Sequence, residues 1–486
     1  MKRFVVLLLA VVGIWAGEAW GQVEVEWERM YGGASMENCM SLIPSMHGGF
    51  LLSGFSFSFG ASVGASDFWL VKIDEQGDSL WSHTYGGRDM EYCFAVRELQ
   101  NGELALAGWT QTFAEYGYDA WLVRADENGD SLWSRTYSWD FSTDLCQDMT
   151  ITNNEEFVLA GTSWSAGDPG GNEDGTIVRI DNRGDTLWTS RFFGHSWSEF
   201  RSVIPVHAGG YILAGAKDSD FWLVRINEIG EALWDRTYGD DNIQECESVV
   251  ETPDGGFLLL GRNQSAVSGD SWMYVLRTDG EGDPLWNRRY GRGYEWGQKV
   301  IALGDGGFLL GGGTNDLESR SELYYLVRID EDGDSLWSMG LGVAGSHVFK
   351  SMIQTEDGGY LLGGQGSPRE GEDNSTQFYI IKTSPDPMYI FNQNSLIFPD
   401  FFALSAYPNP FNGIVNLNFR AARPGYYAVE MIDPTGRKVA RLFDGFATAG
   451  ENKVTWNAAG MAAGEYYIRF DGGQGGSAVK PVVLVK

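Results

Sequence analysis

The chain is poor in cysteine, histidine and positive charge. Its 486 residues include 4 Cys and 5 His, and 35 Lys+Arg face 66 Asp+Glu, a net of −31. The histidines, His47, His83, His195, His207 and His347, show no metal-ligand spacing. So large an excess of acid repels nucleic acid and anionic lipid and argues against both as partners. Long apolar runs are missing as well. After Phe4–Ile14 nothing approaches the ~18 residues needed to span a bilayer. That first run follows Lys2 and Arg3 and precedes the small-residue stretch Ala19-Trp20-Gly21, which reads as a secretory signal over 1–21. No transmembrane segment is expected once it is removed.

Four cysteines in an exported chain invite disulfides, but their placement argues otherwise. Cys39, Cys93, Cys146 and Cys246 each stand eleven residues before the apolar residue opening a strand, at Phe50, Leu104, Phe157 and Phe257. Phe200, Gly297 and Phe349 hold the same slot elsewhere. A slot shared by Cys, Phe and Gly is a packing slot, so buried free thiols are expected.

What the chain has in abundance is repetition. A turn running into an apolar strand occurs as GGFLLSG, GGYILAG, GGFLLLG, GGFLLGG and GGYLLGG at Gly48, Gly209, Gly255, Gly306 and Gly358, with degenerate copies from Asn101 and Asn154. A second phrase, Trp-x-x-x-Tyr-Gly or a relative, begins at Trp27, Trp81, Trp133, Trp188, Trp234, Trp286 and Trp337. Seven copies at intervals of roughly 46–55 residues match four-stranded propeller blades. The Trp phrase comes first, and after the last turn phrase Ser384-Pro-Asp-Pro stands in its place. The strand at Val23–Gly33 is therefore expected to complete the last blade, closing a seven-bladed β-propeller over 22–384 without an open edge.

Within a repeat, turns such as Asp74-Glu-Gln-Gly-Asp, Asp126-Glu-Asn-Gly-Asp, Asp181-Asn-Arg-Gly-Asp and Asp330-Glu-Asp-Gly-Asp place Asp where it can bond backbone amides and Gly where φ is positive. The Trp four residues beyond each Gly is expected to pack between blades, and full burial of 150–250 Å2 at ~25 cal/mol per Å2 gives roughly 4–6 kcal/mol each. This Asp, Gly and Trp set resembles the Asp-box of sialidases, with different spacing, and the docking pattern of quinoprotein repeats. In both families the motif is structural, so the resemblance implies a fold and no activity. A quinoprotein dehydrogenase would be expected to show eight blades and an adjacent Cys pair, and neither is present.

Several spellings fail on context. Gly60-Ala-Ser62-Val-Gly64 and Gly340-Leu-Gly342-Val-Ala-Gly345 lack the helix that a nucleophile elbow or a dinucleotide site needs. The repeated base at Lys72, Arg124, Arg179, Arg225, Arg277, Arg328 and Lys382 reads as a structural partner for carboxylates. Function is expected in the loops between blades, which carry Trp139, Asp140 and Asp144; His195, Trp197 and Glu199; Asp240 and Asp241; Tyr294, Glu295 and Trp296. Aromatic platforms beside carboxylates suit sugar rings; the alternative is that these are acidic, solvated loops with their aromatics folded back on the blade. A further ring, Glu37, Glu91, Asp144 and Glu295 with Ser198, Gln244 and His347, recurs thirteen residues before each turn strand. Those carboxylates either sit apart in solvent or hold a hard cation, so no cofactor is expected beyond a bound calcium that stays open.

After a Pro-containing linker at 385–406 the composition changes. Residues 407–486 carry 9 Lys+Arg and 6 Asp+Glu, a net of +3, which leaves −34 for residues 1–406. Alternating strands and Gly turns predict a small all-β module. It resembles the Ig-like C-terminal sorting domain (type A) of type IX secretion, through Tyr407-Pro408-Asn409-Pro410-Phe411-Asn412, Asp433-Pro-Thr-Gly436-Arg437, Trp456-Asn, Ala463-Gly-Glu-Tyr-Tyr and the closing Val485-Lys486. The resemblance implies the type IX machinery as a partner and delivery to the cell surface or medium. The expectation is an exported, non-enzymatic propeller binding polysaccharide or protein. A surface glycoside hydrolase or lyase on the same scaffold is the alternative, and it needs two carboxylates about 5–10 Å apart.

Overall fold

The computed structural model describes residues 23–60, 62–138, 143–164, 173–194, 197–304, 306–316, 321–342, 345–367, 375–386, 404–407, 411–421, 425–433, 437–447, 450–458, 460–471 and 477–485. The leader segment 1–21 lies outside them. All regular structure among the described residues is β, with no helix. Residues 37–85, 91–137, 143–192, 198–238, 243–290 and 295–341 form six four-stranded antiparallel sheets, each in chain order. A seventh joins three strands of 347–383 to Val25–Tyr31, the strand furthest from them in sequence. There Trp27 pairs with Lys382 and Tyr31 with Phe378.

Local chemistry fixes each sheet. In the first, the turn ahead of Phe50–Ser56 places Gly48 and Gly49 at φ 79° and 66°. Phe50–Ser56 and Asp67–Ile73 are buried at every position, as strands covered on both faces must be, whereas Ser79–Tyr85 is largely exposed. At the outer turn the Asp74 carboxylate accepts the Gln76 and Asp78 amides at 3.0 and 2.7 Å. Gly77 sits there at φ 79°, where an added Cβ would lie 2.9 Å from the Trp27 ring. Two independent constraints therefore require glycine.

The apolar core divides by sheet contact rather than by sheet. Seven clusters among the described residues each combine two sheets, and one of them joins Cys39, Leu42 and Leu52 of the first sheet to Leu361, Phe378 and Ile380 of the seventh. The expectation for the tryptophans needs correction. Trp27, Trp81, Trp133, Trp188, Trp234 and Trp286 are only half-buried, at the rims of these clusters, and among the seven only Trp337 is buried. Each of the six lies against the turn glycine of the following sheet, and Arg29, Arg236 and Arg288 lie over the rings of Trp27, Trp234 and Trp286.

The four cysteines are free and buried, as the packing slot implied. Burial pushes the Cys93 thiol up to about 12. Each Sγ donates to the carbonyl two residues on, at 3.5–3.7 Å, across a pairing shift in its strand. Six of the repeated bases are buried and Arg179 is half-buried. Most are paired, as Arg124 with Glu103 at 2.5 Å, Arg179 with Glu156 at 2.7 Å and Lys382 with Asp357 at 2.8 Å, whereas Lys72 Nζ is buried without a hydrogen-bond partner among the described residues. Arg225 departs from that pattern and donates to the carbonyls of Tyr211 and Ile226 at 3.1 and 2.7 Å.

Residues 404–484 form a three-stranded and a four-stranded sheet. Phe411, Val415, Leu417, Val429, Met431, Trp456, Tyr466, Ile468, Val482 and Leu484 share one core between them.

Candidate functional site

The recurring carboxylates near the start of four of the seven first strands are not solvated. Glu37, Glu91, Asp144 and Glu295 are at most 5% exposed. One oxygen of Glu295 accepts the amides of Arg292, Gly293 and Tyr294 at 2.7, 2.9 and 3.0 Å, and the other accepts the Thr314 hydroxyl at 3.2 Å. Glu91 holds the Gly87 and Thr112 amides and the Thr110 hydroxyl at 2.9–3.1 Å. Glu37 takes the Gly33 amide at 3.0 Å. A buried carboxylate is stabilised by such donors, and here they tie the sheet-joining loop to its own sheet. Among the described residues no His, Cys, Asp or Glu group has the arrangement of a metal site.

The proposed loop residues scatter. Trp139, Asp140 and His195 lie outside the described residues. Trp197 is half-buried and bridges in parallel to Glu173. Asp241 is exposed, and Asp240 caps its own loop through the Asn242 amide at 2.9 Å and the Gln244 side chain at 2.6 Å. Burial works to raise the Asp240 carboxyl, but those donors hold it below the usual range. Tyr294 is exposed, and Trp296 lies across the Gly313 backbone of its own sheet. Only Glu199 enters a wider network.

That network leads to one cavity of about 320 Å3, lined from all seven first strands. Each of these strands shifts register at the same place, just after Cys39, Cys93, Cys146, Phe200, Cys246, Gly297 and Phe349. The residues left out of the pairing are Met40, Phe94, Gln147, Arg201, Glu247, Gln298 and Lys350, and all seven line the cavity. A bulge turns an otherwise paired residue out of the sheet, and here it aims seven side chains at a common space. Because those seven share no chemistry, no repeated letter marked them.

Arg201 is the hub. Its guanidinium pairs with Glu199 at 2.5 Å, with Glu245 at 3.2 Å and with Glu247. Glu245 also takes Arg262 at 2.9 Å, and Glu247 takes Gln298 at 2.8 Å. Burial pushes the Glu199 carboxyl up despite Arg201, whereas for Glu245 burial is outweighed by Arg201 and Arg262, which hold it down. Asp148 pairs with Arg97 at 2.9 Å and accepts the amides of Met149 and Val203 at 2.8 and 3.0 Å.

At the loop end an aromatic group was also missed, because its members come from separate strands. Tyr92 stacks on Trp109 with centroids 4.4 Å apart, and Phe55, Phe57 and Tyr118 close around the pair at 4.0–6.4 Å. Tyr92, Trp109, Phe57 and Tyr118 remain half-exposed, and nearby strand-joining segments leave Phe59, Phe113 and Tyr116 open to solvent.

In the tail, Phe411 of the sorting motif is a core residue, 1% exposed. Its amide donates to the Val483 carbonyl and its carbonyl accepts the Val485 amide, both at 2.8 Å. Arg437 is exposed and pairs with Asp433 at 3.0 Å, and Asn412 is exposed. Pro408, Asn409, Pro410, Gly436 and Lys486 lie outside the described residues. Residues 405–485 match the family model described as the secretion system C-terminal sorting domain. The tail is a sorting domain. It directs export by type IX secretion to the cell surface or the medium and implies contact with that machinery.

No curated protein matches the chain. Among solved structures it is similar to Chaetomium thermophilum Sqt1 bound to the N-terminus of ribosomal protein L10, at TM-score 0.41 and 10% identity over 73% of this chain and 98% of that one. It is also similar to Pyrococcus horikoshii acylaminoacyl peptidase, at TM-score 0.42 and 11% identity over 79% of this chain and 57% of that one. A putative oxidoreductase (glucose dehydrogenase) from Thermus thermophilus gives TM-score 0.34 and 12% identity over 60% and 94%. At such distances none of them bears on what this chain binds.

Proposed function

We propose that residues 23–386 form a closed seven-bladed propeller, carried outside the cell by its tail, that binds polysaccharide through aromatic side chains at the loop end. Closure is supported by the number of shared cores: seven sheets share seven cores, where an open row of seven would have six. It is supported again by the junction of the seventh and first sheets. There the Glu37 amide donates to the Thr376 carbonyl at 2.8 Å, as the Glu91 amide does to Ser66 at 2.7 Å between the first and second.

The sugar reading rests on the Tyr92–Trp109 stack. It is a half-exposed stacked pair that carries a phenol hydroxyl and an indole N–H, a chemistry suited to a pyranose face and rim. Glycan-array binding by the full exported chain, repeated with Trp109→Ala, tests it. Loss of a sugar signal in the variant supports the platform, while retention of every signal, or capture of proteins alone, rejects it.

A hydrolase or lyase is the second reading, favoured by one observation. Glu199 and Glu245 share the Arg201 guanidinium, and their carboxyls are pushed in opposite directions, as an acid and a base would require. Incubating the same sugars with the wild type and with Glu199→Gln decides it. Cleavage products that vanish in the variant would establish catalysis.

A further inference from the structure

The cavity lined by the seven bulged residues holds more positive than negative charge, inside a protein that is strongly acidic overall. Four cations line it, Arg97, Arg201, Lys299 and Lys350, against two carboxylates, Asp148 and Glu247. The carboxylates are already engaged. Asp148 is taken by Arg97 and two backbone amides, and Glu247 by Arg201 and Gln298. Among the described residues neither Lys299 nor Lys350 has an ion-pair partner. The two come from neighbouring sheets, and Lys350 is itself a bulged residue that its strand turns into the cavity. Two half-buried ammonium groups without a counter-charge are costly to keep, and nothing in the packing of the sheets requires them.

We propose that this cavity is a binding site for a small oxyanion, a phosphate, sulfate or carboxylate group, held between the ammonium groups of Lys299 and Lys350. The volume, about 320 Å3, accommodates such a group with several waters. Arg97 and Arg201 are neutralised by their own carboxylates, which leaves the two lysines as the uncompensated charge, and Gln298 and Ser351 present neutral polar groups at the wall. The direction of the lysine protonation equilibria agrees. Burial lowers both, Asp148 opposes and Arg97 adds to the effect at Lys299, and Glu247 opposes and Arg201 adds to it at Lys350. An anion favours the ammonium forms, so binding takes up protons and weakens as pH rises through the lysines' own range. This site is separate from the aromatic platform, and its fate does not depend on whether sugars bind there.

Calorimetric titration of the full exported chain with potassium phosphate, sodium sulfate and sodium glucuronate, at constant ionic strength in a chloride background, tests the proposal. At least one anion should bind the wild type at millimolar concentration or better. Lys299→Met and Lys350→Met should each weaken binding roughly 10-fold or more, the loss expected for a charged hydrogen bond. The double variant should not bind, and Lys350→Arg should retain binding. The arms also identify the source: preference for glucuronate indicates an acidic sugar residue, preference for phosphate or sulfate a free or esterified oxyanion. No heat with any anion in the wild type overturns the proposal. So does equal thermal stabilisation of the wild type and the double variant, which would be the general effect of excluded salts. If Met is not tolerated, Lys299→Gln and Lys350→Gln give the same comparison.

Discussion

The hydroxyl of Tyr31, the last residue of the strand Val25–Tyr31, donates to the carbonyl of Gly77 at 2.6 Å. The same bond joins Tyr85 to Gly129, Tyr238 to Gly282 and Tyr290 to Gly333 at 2.6 Å, and Tyr137 to Gly184 at 3.0 Å. In each case the outer strand of one sheet holds the outer turn of the next. Where the repeat has Phe192 and no phenol, Ser190 reaches Gly230 at 2.8 Å instead. The sixth sheet ends in Leu341 and faces the seventh, whose outer strand comes from the N-terminus and has no such turn. Tyr31 thus makes at the junction of last and first sheets the bond that Tyr85, Tyr137, Tyr238 and Tyr290 make at four others.

That equivalence can be measured. Tyr31→Phe and Tyr85→Phe each remove one buried or half-buried hydrogen bond and should cost about 1 kcal/mol in denaturant unfolding. Equal costs are expected of a closed ring. A Tyr31→Phe cost near zero beside a normal Tyr85→Phe cost would mean that the first and last sheets do not depend on one another.

The period of the repeat, the turns at Asp74 and its copies, and the misplaced strand at Trp27 were all legible in the sequence, because backbone requirements repeat with the fold. Gly77 is glycine wherever the blade recurs since φ and the neighbouring indole both demand it. The cavity was not legible, because a bulge dictates only where residue 40, 94 or 350 points, and leaves Met, Phe and Lys equally acceptable. The ring at Glu37, Glu91 and Glu295 was visible but misread. Spacing shows that carboxylates recur, while only coordinates show that backbone amides already surround them.

Half-burial of Trp234 sets the scale of its contribution. Burying about half of the indole gives about 2 kcal/mol rather than the figure for a core aromatic. Trp234→Ala should therefore lower stability by about 2 kcal/mol. Gly282→Ala, which forces a side chain to φ 82° and to within 3.0 Å of the same ring, should cost a comparable ~1–3 kcal/mol. Combining them should cost less than the sum, since removing the indole relieves the clash. Strict additivity in chemical denaturation would show that the two do not touch.

The carboxylates on Arg201 predict a pH dependence of opposite sign. Glu245 is held below the usual range, so its contribution is present above the unfolded value of about 4.3 and is lost as pH falls through the lower folded value. Glu245→Gln should flatten the fall in stability on the acid side. Glu199 is held above its usual range by burial, so the folded state is penalised as pH rises from about 4.3 through the raised value. Glu199→Gln should remove that penalty. Unfolding free energies measured across this range, with identical profiles for wild type and both variants, would refute the assignment.

Phe411 makes the sorting domain testable by a single side chain. It is 1% exposed in the tail's core, its ring centroid lies 5.8 Å from that of Trp456, and its backbone is bonded to Val483 of the last strand and to Val485 just beyond it. Phe411→Ala removes a large aromatic from a small core and should cost ~3–5 kcal/mol, enough to unfold a module of this size. Among the described residues no core cluster of the seven sheets includes a tail residue, so those sheets should keep their own unfolding transition. In a host with the type IX machinery the variant should accumulate inside the envelope while the wild type reaches the surface or medium. Conversely, residues 404–486 placed behind an exported reporter should carry it out, and the same fusion with Phe411→Ala should not. A Phe411→Ala protein that leaves the cell at normal levels would separate the signal from the folded tail and leave it in the exposed residues, Arg437 foremost.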